Sequence, residues 1–209
     1  PSHPLTRGET VMVLLSPDLE GTDGTPLRAE GDSYQFGPRA GAASLDYTQI
    51  DSMTTRSSPE IPSIAYGGFA SDVNEDGFMD LTIVNEATAD LRVFLNQADG
   101  TGLFDPFLTP TEPVGNQASP NEPSDFNRDG HVDVCVCNIN DATISVVLGN
   151  GDGTFAPQTT IGVGSSPRGI AVLDVDGDGD TDIVNTNSSS SNLSLHVNNG
   201  DGTFAPPTF

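Results

Sequence analysis

Twelve oxygen-bearing side chains recur in this sequence at one spacing. Three nine-residue stretches, DVNEDGFMD at 72–80, DFNRDGHVD at 125–133 and DVDGDGDTD at 174–182, place an acid or amide at positions one, three, five and nine. The candidate ligands are Asp72, Asn74, Asp76 and Asp80; Asp125, Asn127, Asp129 and Asp133; and Asp174, Asp176, Asp178 and Asp182. Hard oxygen donors crowded in a tight loop suit a hard divalent cation, and calcium takes six to eight of them at about 2.3–2.6 Å. Glycine at position six (Gly77, Gly130, Gly179) lets the chain turn sharply, so the carbonyl of position seven (Phe78, His131, Asp180) can point inward. Position twelve carries Ile83, Val136 and Asn185 rather than Glu, which rules out a helix–loop–helix calcium hand. Magnesium, which keeps several waters, fits less well. The competing reading is an Asp/Gly-rich turn without metal, and three copies in register weigh against it. The expected ions are about three, with a structural role.

The elements that hold these loops repeat with them. From the first Asp of each copy to an Asp-Gly turn is 27 residues every time: Asp72 to Asp99, Asp125 to Asp152, Asp174 to Asp201. The copies themselves are 53 and then 49 residues apart, so insertions fall between rigid pieces. Each loop is followed by a β-rich run (Leu81–Val84, Val134–Cys137, Ile183–Thr186), a polar turn and a second run (Leu91–Leu95, Ile144–Leu148, Leu193–Val197). Leu91, Val93 and Leu95 alternate toward one face. An Asn thirteen residues on recurs as Asn85, Asn138 and Asn187. Runs before each loop, Ile64–Ser71 and Ile170–Leu173, supply a first strand. The equivalent before Asp125 holds Pro120 and Pro123 and is expected to be short or distorted. Each unit therefore reads as a four-stranded antiparallel meander that must stack on its neighbours to bury both faces.

The expected fold is all-β, with propeller-type blades at about 61–112, 113–161 and 162–209. Residues 1–60 are an N-terminal extension or degenerate blade, with a strand at Val11–Leu15 and a turn at Asp18–Gly24. Three blades fall short of the usual four to eight. The ring is therefore incomplete, or is closed by the N-terminal region or by another chain.

The D-x-[DN]-x-D-G-x-x-D copies, the strand Asp80-Leu81-Thr82-Ile83-Val84-Asn85 and the run Val146 to Phe155 resemble FG-GAP/VCBS repeats, known from integrin α-subunit propellers and secreted microbial proteins. The resemblance spans about 60–209. It implies a β-propeller with calcium held between the first and second strands of each blade.

Composition narrows function further. With 30 acids against seven cations and a net charge of −23, nucleic acid and anionic membrane surfaces are unsuitable partners. The loops hold twelve of the acids, and three divalent ions would leave about −17. No apolar run is long enough to span a membrane. Cys135 and Cys137 share one strand face and read as small core residues rather than a redox pair. The histidines, His3, His131 and His196, form no visible catalytic constellation, so the chain is expected not to be an enzyme. Asn187 and Asn192 open glycosylation sequons in a Ser-rich turn. The leading function is an extracellular or cell-surface calcium-binding module for adhesion. The alternatives are a self-assembling subunit of a filament or surface layer, and a calcium-dependent lectin or enzyme accessory domain. The partners would be other chains, further copies of itself, or a glycan.

Overall fold

The computed structural model describes residues 11–14, 33–36 and 52–209, and every regular element among them is a β-strand. The chain divides into two compact units, 1–49 and 50–209. In the first, β1 (Val11–Leu14) pairs antiparallel with β2 (Ser33–Phe36). The turn expected at Asp18–Gly24 and His3 lie outside the described residues.

The second unit contains three antiparallel, blade-like sheets. The first runs β3 (Ala65–Ser71), β4 (Asp80–Asn85), β5 (Asp90–Phe94) and β6 (Glu112–Pro113). The second runs β7 (Ala118–Ser124), β8 (Asp133–Asn138), β9 (Thr143–Val147) and β10 (Thr159–Gly162). The third has three strands, β11 (Pro167–Leu173), β12 (Asp182–Asn187) and β13 (Asn192–His196). Its expected fourth strand is reduced to a single bridge between Leu195 and Thr208. The described residues of this second unit show three sheets and no closed ring.

β7 is as long as β3 and β11, not short, and its irregularity is a register shift between Ala118 and Asn121. The prolines are tolerated because β7 is the edge strand of its sheet, where one side of the backbone needs no ladder partner.

Two faces of each sheet have distinct jobs. The rear face of sheet one holds Val84 opposite Leu91, and the front face of sheet two holds Val134 opposite Val147. These four residues join Val136, Val114 and Ala118 in one buried cluster. The rear face of sheet two (Cys135, Cys137, Ile144, Val146) forms the second cluster with Ile183 on the front face of sheet three. Packing on both sides explains why β5 is buried along its whole length, although its pattern suggested one apolar face. Its off-pattern residue, Arg92, pairs with Asp90 at 3.0 Å, donates to the Thr55 carbonyl and lies 4.8 Å over the Phe107 ring.

The recurring Asn at the end of each second strand is buried. Asn85 Oδ1 accepts from the Ile64 N–H at 2.9 Å, and Asn138 Oδ1 from the Gly115 N–H at 3.0 Å. Each ties the incoming chain to its own sheet. Asn187 is equally buried and donates to Ser194 Oγ and Asn192 Oδ1. Of the two sequon residues, only Asn192 is therefore at the surface.

Candidate metal centre

Each acidic stretch forms the loop between the first and second strands of its sheet, and the three loops share one backbone. Position one anchors the turn. The N–H groups of Asp76 and Gly77 donate to the two oxygens of Asp72, and those of Asp129 and Gly130 to Asp125. Asp174 accepts from Gly179 at the same position six, and its other oxygen from Gly177, at position four rather than five. Position five turns back on position seven: Asp76 accepts from Phe78, Asp129 from His131 and Asp178 from Asp180. The glycines at position six have φ near +90°, a conformation that strains any other residue. Position four is also left-handed, at Glu75, Arg128 and Gly177, a feature the sequence did not suggest.

Position nine is the buried pin of the loop. Asp80, Asp133 and Asp182 are fully buried. One oxygen of each accepts from the N–H at position two, in the order Val73 (3.0 Å), Phe126 (2.7 Å) and Val175 (2.9 Å). The other accepts from the far end of the next hairpin, at Asn96 (2.8 Å), Gly149 (2.7 Å) and Asn198 (2.8 Å). Burial pushes the Asp133 carboxyl up to about 6, against the hydrogen bonds from Gly149 and Phe126 that favour its charge. Asp80 is raised for the same reason. A carboxylate desolvated among other carboxylates is a group that a bound cation would stabilise.

The donor set fits a hard cation best in loop three. Carboxylate oxygens of Asp174, Asp176 and Asp182 lie within 4.8 Å of one another. Asp176 is raised by desolvation and by the charges of Asp178, Asp182 and Asp174. Asp178 and Asp180 stand outside that cluster. In loops one and two the third position is an amide. Asn74 and Asn127 each donate Nδ2 to the carboxylate at position five, at 3.0 and 2.8 Å.

The position-seven side chains, expected to matter only through their carbonyls, link consecutive loops. His131 meets Glu75 of the loop before it, and Asp180 meets Arg128. The Glu75 contact raises the His131 pKa. Pairs of opposite charge at positions four and seven of successive copies were the sequence signal for this contact. The Asp-Gly turns also serve the stack. Gly153 N–H donates to the Val73 carbonyl (2.9 Å) and Gly202 N–H to the Phe126 carbonyl (3.0 Å), each reaching position two of the preceding loop.

The remaining reactive groups are elsewhere. Cys135 and Cys137 are free and buried, and burial pushes Cys137 up to about 12 and Cys135 well above the ordinary thiol range. His196 is fully buried against Asn185. No helix among the described residues is long and apolar enough to cross a membrane.

No curated protein matches the chain. Among solved structures it resembles a lectin from Agrocybe aegerita, in a structure described as the basis of specific recognition of non-reducing terminal N-acetylglucosamine. The identity is 25% and the TM-score 0.47, over 68% of this chain and 37% of the lectin, so the chain spans well under half of that protein. Residues 125–185, from the second acidic loop through most of β12, match the family of the FG-GAP-like repeat.

Proposed function

We propose that this chain is a non-catalytic, calcium-braced β-repeat module that acts outside the cell in adhesion or surface interaction. The carrying observation is the convergence of Asp174, Asp176 and Asp182 in a loop whose backbone is built three times over. Asp72, Asn74, Asp76 and Asp80 would hold calcium in loop one, and Asp125, Asn127, Asp129 and Asp133 in loop two. In loop three the ligands would be Asp174, Asp176, Asp178 and Asp182, and the carbonyl of position seven would add a donor in each loop. A bound ion would neutralise carboxylates that now repel one another and so fasten the first two strands of each sheet. The FG-GAP-like match supports the extracellular setting, and the buried, proton-retaining cysteines support the non-catalytic one.

Thermal unfolding with calcium and with a chelator tests this reading. Calcium at a hundred times its dissociation constant should add about 2.7 kcal/mol per site. Binding should also release more protons near pH 6 than near pH 8, because the raised Asp133 carboxyl must ionise. Titration calorimetry in two buffers of different ionisation enthalpy reads that number. Melting that is indifferent to calcium would remove the metal from the account.

A further inference from the structure

Asn-Gly occurs twice in the chain, and each time it opens the same stretch: Asn150 to Pro157 and Asn199 to Pro206 both read NGDGTFAP. The two turns share their internal hydrogen bonds. Asn150 and Asn199 are exposed, and each donates Nδ2 to the hydroxyl of the turn's threonine, Thr154 or Thr203, at 2.9 Å. The backbone N–H of each donates to the carbonyl of the same threonine. The glycine that follows is left-handed in both, with φ of +73° at Gly151 and +81° at Gly200. The turns part at one contact. Gly200 N–H donates to Asn198 Oδ1 at 3.0 Å, as Ala98 N–H donates to Asn96 Oδ1 at the same place in sheet one. In sheet two the corresponding residue is Gly149, where a Cβ would lie 2.3 Å from the Val132 carbonyl oxygen. Gly149 has no side chain to accept with, so Gly151 N–H lacks the acceptor that Gly200 N–H has.

We propose that Asn150 is a site of spontaneous deamidation, and that the fold shields Asn199 from the same reaction. The Gly151 nitrogen loses its proton and bonds to Cγ of Asn150. The Cγ–Nδ2 bond breaks, and the amide takes up a proton and leaves as ammonia. Water then opens the cyclic imide at either carbonyl, leaving aspartate or isoaspartate, with no oxidant or reductant involved. Glycine after the asparagine favours the attack because no Cβ stands in its way. The attacking atom is the one that Asn198 engages at the other turn. Gly200 must give up that hydrogen bond before its nitrogen can lose a proton, and Gly151 has none to give up. The product changes the stack. Isoaspartate routes the main chain through the side-chain carbon and so lengthens the turn between Asn150 and Gly151. Just beyond, Gly153 N–H donates to the Val73 carbonyl at 2.9 Å, the contact that ties this turn to the first acidic loop. A lengthened turn no longer delivers Gly153 to that carbonyl, so ageing at Asn150 loosens the junction between sheets one and two. The inference needs only the turn and water and stands apart from the metal reading.

Incubation of the chain at mildly alkaline pH, followed by trypsin and tandem mass spectrometry, tests it. Arg128 and Arg168 place the two turns in separate peptides, 129–168 and 169–209. The same incubation in denaturant supplies the reference, in which the shared sequence gives the two asparagines similar rates. Relative to that reference, Asn150 in the folded chain should convert about fivefold faster than Asn199, the ratio that one ordinary hydrogen bond sustains. Amide hydrogen exchange at Gly153 should be faster in aged wild type than in equally aged Asn150→Gln, whose circular dichroism spectrum should match that of fresh wild type. Equal conversion of the two asparagines in the folded chain overturns the proposal, as does faster conversion of Asn199. So does a folded chain that spares Asn150 under conditions where the denatured chain converts it. Exchange at Gly153 that ageing leaves unchanged overturns the loosening of the junction.

Discussion

His196 gives the fold an acid sensitivity whose size can be worked out. Its ring is fully buried on the front face of sheet three, Nε2 meets Asn185 Oδ1 at 3.1 Å, and Nδ1 has no partner. Burial alone lowers its pKa from 6.5 to about 4. The folded chain therefore holds the ring neutral, while the unfolded chain takes up a proton as pH falls through about 6.5. Stability that is complete above that point drains away until about pH 4, where the folded ring also protonates. Integrating the difference in proton uptake from about pH 8 to about pH 5 gives a loss of about 2 kcal/mol, tending to about 3.4 kcal/mol below pH 4.

Asp133 works in the opposite sense. Its folded pKa is raised from 3.8 to about 6, so acidification relieves the cost of burying its charge. A pH profile of the wild-type chain would mix the two effects, and a difference measurement separates them. Asn185→Val with His196→Val reproduces the pair Val136 and Val147 at the same positions of sheet two. Both proteins keep Asp133, so its contribution cancels in the comparison. In calcium-containing buffer the melting-temperature difference between wild type and double variant should move by about 4–8 °C between about pH 8 and about pH 5, in favour of the variant. Parallel profiles for the two proteins would refute the assignment of a neutral, desolvated imidazole to this site.

Asn138→Ala should cost about 2 kcal/mol in urea denaturation, because the half-buried Gly115 N–H loses its acceptor and Thr143 and Ser145 lose a shared donor. A cost below about 0.5 kcal/mol would mean that water reaches this corner. Gly202→Ala and Gly100→Ala both place a side chain at positive φ, at about 1 kcal/mol each. Gly202 should cost about 1 kcal/mol more, since its new Cβ would sit 3.2 Å from Leu148 Cδ2 while Gly100 faces open space. Equal costs by chemical denaturation would contradict the docking of the Gly202 turn on the preceding sheet.

The strands and loops could be read from the sequence because their causes are local. Gly130 must follow Asp129 for the loop to turn, and the alternation from Thr143 to Val147 sets a strand wherever that strand ends up. What could not be read depends on neighbours remote in sequence. Arg92 looks like a surface residue until sheet one is seen to carry its own cover, the Thr55 carbonyl and the Phe107 ring. His131 looks free to vary until Glu75 of the previous loop is placed beside it. The same contrast explains the two spacings. The fixed 27 residues from loop to Asp-Gly turn express a distance between sheets: Gly153 and Gly202 must arrive where the carbonyl of the preceding loop's second residue waits. The interval between copies carries no such requirement. Its four extra residues in the first unit fall as two between Asp99 and Phe104 and two between Phe104 and Val114, counted against Asp152, Phe155 and Val163. Both insertions lie beyond the turn glycine that docks, on the way to the fourth strand of the same sheet, where added length moves neither the acidic loop nor the junction it helps to form.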